Sequence, residues 1–445
     1  MKIIVVFLVF LTAAAFATDP TWKAGAAKVV ITPKEPMWMA GYAARTKPAE
    51  GTAQELYAKA LALEDAQGKR FVFVTLDLIG VPRTLRSALE KRLAQALPPE
   101  ALILNVSHTH CGPEFRVKDQ AADSAEAGRV EQARAYGAFL EEAIFKLIND
   151  ALGQLAPAQL SYQHARCGFA MNRRLPFQNT FRNSPNPEGP VDHDVPVLRV
   201  TDAGGKLRAV LFGYACHNTT LPFYQWCGDY AGYAQEYIEA EHPDAVALFV
   251  EGCGGDQNPY PRGKIELAQF HGRALAVAVE AALTGPAQEI KGPLRSAIGE
   301  VEIDFAAPAD RAALEAQLKS TDKYIASHAQ RLLDRVNGGE TLPTNYAYPV
   351  QVVRLGDSLT FIGLAGEVVV DYSLRLKHEL TDTSLWVAGY CNDVMAYIPS
   401  RRVLQEGGYE GGESMRYTSL PGPWAPAIEE RIVGKVHALL KSLTP

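Results

Sequence analysis

Residues 101–113, ALILNVSHTHCGP, join a short apolar run to a group of polar side chains. The run at 101–106 is apolar, does not alternate with polar residues and is too short for a typical helix, which predicts a buried strand. His108 and His110 follow it, and Gly112-Pro113 then turns the chain. Residues two apart on an extended segment point to the same face, so this pair can serve one ion, or one ion and a proton transfer. Two surface imidazoles on a turn are the alternative.

Other apolar runs resemble this one and stop at polar residues or glycine. They are 71–79, 207–214, 245–250, 359–364 and 385–389. Helical periodicity occurs between them, at 84–97, 122–152, 231–241, 265–283, 309–336, 368–380 and 427–443. Strands interleaved with helices predict an α/β fold in which mixed β-sheets are covered by helices. The Asn- and Pro-rich segment 175–190 predicts a surface loop.

Polar residues follow several of these predicted strands. His217 follows 207–214, a glycine-rich segment at 252–255 follows 245–250, Glu367 follows 359–364 and Asn392 follows 385–389. Strand ends are where ligands bind in open α/β sheets, so these residues are expected to converge. Each has a plainer interpretation on its own, since most strand-end histidines are structural and a Glu after Gly is typical of a first helical turn. The glycines could approach an oxyanion or only form a tight turn.

The composition is that of an ordinary globular protein, with 445 residues, 47% hydrophobic and 21% charged. The formal charge is −6 and no basic block occurs, so nucleic acid is not an expected partner. No G-x-S-x-G elbow and no phosphate loop is present. No CxxC pair occurs, which argues against a zinc ribbon, and the pairing of the six cysteines stays open although Cys216 and Cys227 are close in sequence.

The N-terminus predicts export. Lys2 precedes an apolar run that ends at Ala15-Phe16-Ala17, the small-x-small pattern of a cleavage site. We therefore predict a signal peptide at 1–17 and a mature chain at 18–445, secreted or periplasmic. An uncleaved anchor is the alternative, although the run is short for a membrane span.

Taken together, these motifs resemble the catalytic domain of the neutral/alkaline non-lysosomal ceramidases. The resemblance covers nearly the whole mature chain, beginning at 24–33 with 39–42 and continuing through 56–61, 73–78 and the His-Thr-His-x-Gly-Pro block at 108–113. It implies one catalytic domain over 18–445. It also implies zinc ligands and catalytic groups at particular positions. The implied zinc ligands are His108, His217, Glu367 and Tyr397, and the implied catalytic or orienting residues are His110, Arg173 and Tyr409.

Two departures from the family pattern limit this inference. The family has an essential serine where Gly255-Asp256-Gln257-Asn258-Pro259 places Asn258, so we assign Asn258 to the catalytic set as a hydrogen-bond donor. The family's C-terminal immunoglobulin-like domain also has no counterpart before Pro445.

The resemblance implies a zinc-dependent hydrolase in which a zinc-activated water attacks an amide, with an N-acyl lipid as substrate. The partner would be a small molecule or a lipid, which would bring the protein against a membrane surface. Three alternatives remain. They are a zinc hydrolase of another ester, amide or carbohydrate, an exported binding protein without turnover, and a protein whose histidines are structural and whose Cys216 and Cys227 brace a loop.

Overall fold

The computed structural model describes residues 22–116, 124–307 and 310–444. The strands in these ranges are β1 (Trp22–Val30), β2 (Gly51–Thr52), β3 (Tyr57–Asp65), β4 (Arg70–Leu76), β5 (Leu102–Val106), β6 (Ala156–Arg166), β7 (Ala170–Phe177), β8 (Thr180–Asn186), β9 (Asp194–Asp202), β10 (Leu207–Tyr214), β11 (Gln225–Trp226), β12 (Val246–Glu251), β13 (Gln257–Pro259), β14 (Gln288–Glu289), β15 (Leu294–Asp304), β16 (Asn345–Leu355), β17 (Leu359–Leu364), β18 (Glu367–Val368), β19 (Ser384–Ala388) and β20 (Tyr397–Ile398).

The helices cover the sheets and alternate with groups of strands along the chain. They are α1 (Arg83–Leu93), α2 (Ser124–Gly153), α3 (Asp229–Glu241), α4 (Ile265–Thr284), α5 (Arg311–Gln317), α6 (Lys323–Asn337), α7 (Asp371–Glu379), α8 (Arg401–Glu406), α9 (Gly408–Gly411) and α10 (Ile428–Ser442).

The largest sheet has nine strands in the order β12-β10-β9-β6-β1-β3-β4-β5, with β14 paired to β6. It is mixed, because β10–β12 and β4–β5 are parallel whereas β1–β3 and β6–β9 are antiparallel. The two ends of this sheet, β5 and β12, meet. Asn105 of β5 donates from Nδ2 to the backbone oxygen of Glu251 in β12, and its Oδ1 accepts from the backbone N–H of Glu251. The sheet therefore curls so that the carboxyl ends of β5 and β12 lie side by side.

A second sheet of four strands, β15-β16-β17-β19, lies against the place where β5 and β12 meet. Isolated bridges from Asn105 to Cys391 and from Gly252 to Ala388 join the two sheets at the ends of β5, β12 and β19. α2 packs on β1 and β3, α3 and α4 pack on each other and on the large sheet, and α10 packs on β15 and β16. The predicted fold class, mixed sheets covered by helices, is confirmed.

The six predicted strands all coincide with strands of the structure, whereas two other predictions were wrong. The predicted helix at 309–336 is two helices, α5 and α6. Asp310 caps α5 by accepting from the backbone N–H of Ala313, and Asp322 caps α6 by accepting from Tyr324 and Ile325. Each cap satisfies N–H groups that a helix start leaves free, so the second cap begins a new helix within the periodic stretch.

The segment 175–190 is largely a β-hairpin rather than a loop. β7 and β8 pair antiparallel, and the sheet order β13-β7-β8 leaves β8 at the edge. An edge strand tolerates Pro185, whose missing N–H would break the ladder of a central strand. Asn residues also serve the hairpin, because Asn186 Nδ2 donates to the backbone oxygen of Arg174 at 2.8 Å.

All six cysteines lie within the described ranges, where they are buried and free, so no disulfide, including one between Cys216 and Cys227, braces the fold. The helices of the described ranges include none that is long and apolar enough to cross a membrane. The predicted signal peptide at 1–17 lies outside the described residues.

Candidate metal centre and active site

His108 and His217 meet beyond the carboxyl ends of β5 and β10. His108 has a left-handed backbone with φ 59°, an unusual conformation that aims its ring inward. Its Nδ1 lies 2.5 Å from the backbone oxygen of Ile79, and Nδ1 of His217 lies 2.7 Å from that of Gly254. A carbonyl oxygen only accepts, so Nδ1 carries the proton in both rings. The Nε2 atoms therefore present lone pairs to the space between them, as in metal-binding histidines.

Glu367 and Tyr397 complete this group from a separate two-stranded sheet, β18-β20. Strands β18 and β20 pair with Glu367 opposite Tyr397. Oε2 of Glu367 is 3.2 Å from Nε2 of both His108 and His217. The Tyr397 hydroxyl is also 3.2 Å from Nε2 of His217. Glu367 thus lies in a short strand, and α7 begins only at Asp371 rather than at the predicted 368.

The two Nε2 atoms and the Glu367 carboxylate are acceptors that face one another, whereas the Tyr397 hydroxyl can also donate. Burial lowers the pKa of His217 to about 4, so its ring is neutral near pH 7 and has no second proton to offer. Burial opposes ionisation of Glu367, but the neighbouring imidazoles outweigh it and hold the pKa of Glu367 well below its usual range. Two nitrogen lone pairs and a carboxylate oxygen repel one another unless a cation lies between them. The donor set fits a divalent ion that accepts nitrogen and oxygen ligands, such as zinc.

His110 adds a third imidazole. Its Nε2 is 3.3 Å from Nε2 of His108, and the ligand atoms of His108, His110 and His217 all lie within 4.8 Å of one another, a group able to hold a metal ion. Gly41 makes room for this ring, because a Cβ there would lie 2.5 Å from His110 Cγ. Burial lowers the pKa of His110 well below its ordinary value. The geometry is compatible with His110 as a proton carrier and with His110 as a ligand.

Arg173 connects the predicted residues to each other. It lies on β7, next to β13, and its guanidinium donates to Glu410 Oε1 at 2.8 Å, Asn258 Oδ1 at 3.2 Å and the Tyr397 hydroxyl at 2.9 Å. Burial disfavours its charge, but Tyr397 and Glu410 outweigh this and raise the pKa of Arg173 well above its usual value. Arg173 therefore stays charged and holds three groups of the site in place.

The chain matches a known protein family over more than half of its length. The family model "Neutral/alkaline non-lysosomal ceramidase, N-terminal" covers residues 22–269. The chain belongs to the neutral/alkaline non-lysosomal ceramidase family. His108, His110, Arg173, His217 and Asn258 lie inside the matched range.

Relatives of this ceramidase-family chain extend the match to its C-terminal part. The chain is 22% identical to the neutral ceramidase of Pseudomonas aeruginosa over 513 aligned residues, covering 98% of this chain and 75% of that protein. A crystal structure of neutral ceramidase from Pseudomonas aeruginosa superposes with a TM-score of 0.73 at 20% identity, covering 96% of this chain and 76% of that one. A ceramidase complexed with C2 gives a TM-score of 0.71 at 20% identity and the same coverage. The structural likeness establishes the fold.

Asn258 of this ceramidase-family chain is held in one orientation. Its Oδ1 accepts from Arg173 Nη1 and from Thr219 Oγ1, each at 3.2 Å. Because the guanidinium only donates, the oxygen must face it, and the amide nitrogen then points to Tyr260 Oη at 3.4 Å and Asn183 Oδ1 at 3.5 Å. These contacts are long, so the N–H groups of Asn258 Nδ2 form only weak hydrogen bonds.

Tyr409 lies at the edge of this group of predicted site residues. Its ring centroid is 5.3 Å from that of Tyr397, and the guanidinium carbon of Arg173 is 5.9 Å from its ring centroid. All eight predicted site residues thus lie in one region. Which of them act in catalysis or bind an ion stays a prediction.

Three other residues complete the site of this ceramidase-family chain, and the sequence reasoning assigned none of them a role. Glu410 directly follows Tyr409, and Thr219 follows the His217-Asn218 pair, so their proximity to predicted residues was a usable signal. Tyr390 directly follows the predicted strand at 385–389, so its position was also a usable signal. Its ring lies 4.6 Å from His108, its backbone φ is 54°, and its buried hydroxyl has no partner among the described residues.

Proposed function

We propose that this chain is a zinc-dependent hydrolase that cleaves the amide bond of an N-acyl lipid of the ceramide type. The observation that carries the proposal is the convergence of His108 Nε2, His217 Nε2 and Glu367 Oε2, with both contacts to the carboxylate at 3.2 Å. Membership in the neutral/alkaline non-lysosomal ceramidase family supports the reaction class. The neutral ceramidase relative supports the substrate class.

His108, His217, Glu367 and Tyr397 would hold the ion. A zinc ion bound there would polarise a carbonyl and lower the pKa of a water molecule toward neutrality. The Nδ1 contacts of the two histidines support this assignment, because backbone carbonyls fix their tautomers. Arg173, by donating to the Tyr397 hydroxyl at 2.9 Å, would hold the phenol beside the centre.

The remaining residues would act on the substrate. His110, neutral and next to His108, would take a proton from the attacking water and deliver it to the leaving amine. Asn258 would donate through Nδ2 to a substrate oxygen, where the family pattern has a hydroxyl. Arg173 and Tyr409 would orient the polar part of the substrate.

The test combines metal content and turnover. Purified wild-type protein should contain about one zinc per chain and hydrolyse a fluorescent ceramide, and chelation should abolish turnover until zinc is restored. His108→Ala and Glu367→Ala should lose metal and activity together. His164→Ala is the matched control, because His164 is an exposed imidazole paired with Asp194 away from the site. Wild-type protein that is fully active without metal would refute the proposal.

A second substrate class is favoured by Asn258. The carboxamide of Asn258 can donate a hydrogen bond but cannot give up a proton as the family's serine hydroxyl can. This chain can therefore act on a different substrate from its relatives. Parallel assays on short amides, esters and glycosides separate this alternative. Metal and ligand binding without turnover of any of them would indicate a binding protein.

We also propose that the protein is exported, with cleavage after Ala17 and one catalytic domain over 18–445. The N-terminal sequence alone supports this. N-terminal sequencing of protein from the periplasm and culture medium would test it, and an intact Met1 would refute cleavage.

A further inference from the structure

Strand β12 lies between the two strands that lead to the candidate histidines. The order of the large sheet places β12 beside β10, and the contact between the two ends of that sheet places β12 beside β5. His108 follows β5 and His217 follows β10. Glu251, the last residue of β12, therefore lies between the two segments that carry these imidazoles.

Glu251 contacts both segments. Its backbone N–H donates to Asn105 Oδ1 in β5 at 2.8 Å. Its side chain reaches the segment after β10, where Oε1 accepts from the backbone N–H of Cys216 at 3.0 Å and Oε2 accepts from Asn218 Nδ2 at 3.2 Å. The carboxyl group thus bonds the residue before His217 and the residue after it.

Asn218 continues this connection to the segment after β5. Its Oδ1 accepts from the backbone N–H of Ala231 at 3.1 Å, which fixes the orientation of the carboxamide. Nδ2 then donates its two protons to Glu251 and to the backbone oxygen of Ser107 at 2.5 Å. The backbone oxygen of Asn218 also accepts from the backbone N–H of His110 at 3.2 Å. Asn218 therefore bonds the two histidine segments to each other.

A carboxyl group at the position of Glu251 is costly. Glu251 is fully buried and, among the residues that the structure describes, forms no ion pair. Burial raises the pKa of Glu251 well above its usual range, whereas the N–H groups of Cys216 and Asn218 oppose that shift. Gly254 leaves space for the carboxyl group, because a Cβ there would lie 2.4 Å from Oε1. An apolar side chain would avoid the cost but would leave two N–H donors without their acceptor.

We propose that Glu251 and Asn218 are positioning residues, which hold the segments of His108 and His217 at the separation that metal binding requires. The inference rests on the proposed metal centre and adds two residues outside its ligand set. Both Nε2 atoms lie 3.2 Å from one oxygen of Glu367, so a shift of either segment would change the distances between the donor atoms. Loss of residues that orient metal ligands typically lowers metal affinity by about ten- to a hundredfold.

The test measures metal binding by the full-length protein, independently of turnover. Competition with a chromogenic chelator gives the zinc affinity, and the visible spectrum of the Co²⁺-substituted protein reports the coordination geometry. Glu251→Ala and Asn218→Ala should each weaken zinc binding at least about tenfold and alter the Co²⁺ spectrum. Because the two side chains contact each other, the double variant should lose less than the product of the two single losses.

Glu251→Gln keeps the shape of the side chain and so keeps the test valid if Glu251→Ala does not fold. A carboxamide offers one acceptor to the two donors, so its zinc affinity should fall between those of wild type and Glu251→Ala. Asn218→Ala changes no charge. Its loss of affinity therefore separates positioning from the electrostatic effect of a nearby carboxylate.

The matched control is Asp65→Asn. Asp65 is also a buried carboxylate that accepts from backbone N–H groups, including that of Leu294 at 2.8 Å. Because β3 runs antiparallel to β4, and β4 runs parallel to β5, Asp65 lies at the opposite end of the sheet from His108. Asp65→Asn should lower the stability of the protein but leave the zinc affinity and the Co²⁺ spectrum unchanged.

Unchanged zinc affinity and spectrum in Glu251→Gln and Asn218→Ala would overturn the inference, and so would an equal loss of affinity in Asp65→Asn. If the variants lose affinity as expected but wild-type protein cleaves no amide, the positioning role stands and the hydrolase proposal falls. If wild-type protein binds zinc and cleaves ceramide but the variants bind zinc equally well, the hydrolase proposal stands and the positioning role falls. Wild-type protein that binds neither metal would overturn both.

Discussion

Nε2 of His217 lies 3.2 Å from the hydroxyl of Tyr397, although 180 positions separate the two residues in the chain. Their rings are stacked, with an interplanar angle of 11°. His217 follows a strand of the nine-stranded sheet, whereas Tyr397 lies in β20, beyond the end of the four-stranded sheet. The candidate centre therefore depends on how the two sheets pack, and changes at that junction should alter metal binding.

Tyr397→Phe should weaken zinc binding by at least about tenfold, because it removes one oxygen donor and keeps the ring. Competition with a chromogenic chelator measures this. Tyr346→Phe is the control, since its hydroxyl bonds Asp393 away from the centre and its loss should not change zinc affinity. Equal affinities of Tyr397→Phe and wild type would remove Tyr397 from the ligand set.

Tyr390→Phe should raise the free energy of unfolding of the metal-free protein by about 1 kcal/mol. The Tyr390 hydroxyl is buried with no partner among the described residues, and such a group retains its desolvation penalty. Urea unfolding of the metal-free proteins measures the difference. A destabilised variant would show that the hydroxyl does have a partner in solution, such as an ordered water.

Glu410→Gln should destabilise the protein by about 3–5 kcal/mol, because two buried arginines lose their shared counter-charge. Glu410 contacts Arg173 at 2.8 Å and Arg174 at 2.7 Å, and all three side chains are at most 4% exposed. The comparison is Glu315→Gln, which breaks an exposed pair with Arg311 and should cost about 0–1 kcal/mol. Similar losses in both variants would contradict the importance of the buried pair.

Asp229 should make stability fall as pH rises. Burial raises the pKa of Asp229 from 3.8 to about 6 in the folded protein. The folded state therefore holds this proton more tightly than the unfolded state, and the benefit present below about pH 4 is lost as the pH rises through about 6. The difference is at most about 3 kcal/mol, at 1.36 kcal/mol for each pKa unit.

Asp229→Asn removes the titrating group, so the unfolding free energy of this variant should fall less than that of wild type between about pH 4 and 7. The substitution also removes one acceptor for the backbone N–H groups of Tyr230 and Leu221, but that loss does not depend on pH. Urea unfolding across this range gives the slope. Parallel pH profiles for the two proteins would contradict the raised pKa.

Part of the fold was predictable because its signal is local. The short apolar runs that became β5, β10, β12 and β17 are buried on both faces, so their sequences lack polar alternation. The long antiparallel strands β6 and β15 were not predicted. Their residues alternate irregularly between buried and exposed, and a pattern of that kind does not separate a strand from a loop.

The candidate site also contains residues with a local sequence signal and residues without one. His108, His110, His217 and Glu367 follow recognisable strands, and the family resemblance indicated Tyr397, Arg173, Asn258 and Tyr409. Glu410 was not assigned, although it holds Arg173 in place. Its position next to Tyr409 was the only local signal, because the role of Glu410 comes from two arginines more than 230 positions away.

By itself the sequence determined the α/β class, the principal buried strands and the polar residues that follow them, because hydrophobic periodicity and turn chemistry act over a few neighbouring residues. Only the tertiary structure decided that β5 and β12 meet, that Tyr397 and Glu367 face His217, and that Arg45 lies beside Tyr42. These relationships depend on sheet curvature and on packing between distant segments, which bring side chains together in ways that no local pattern specifies.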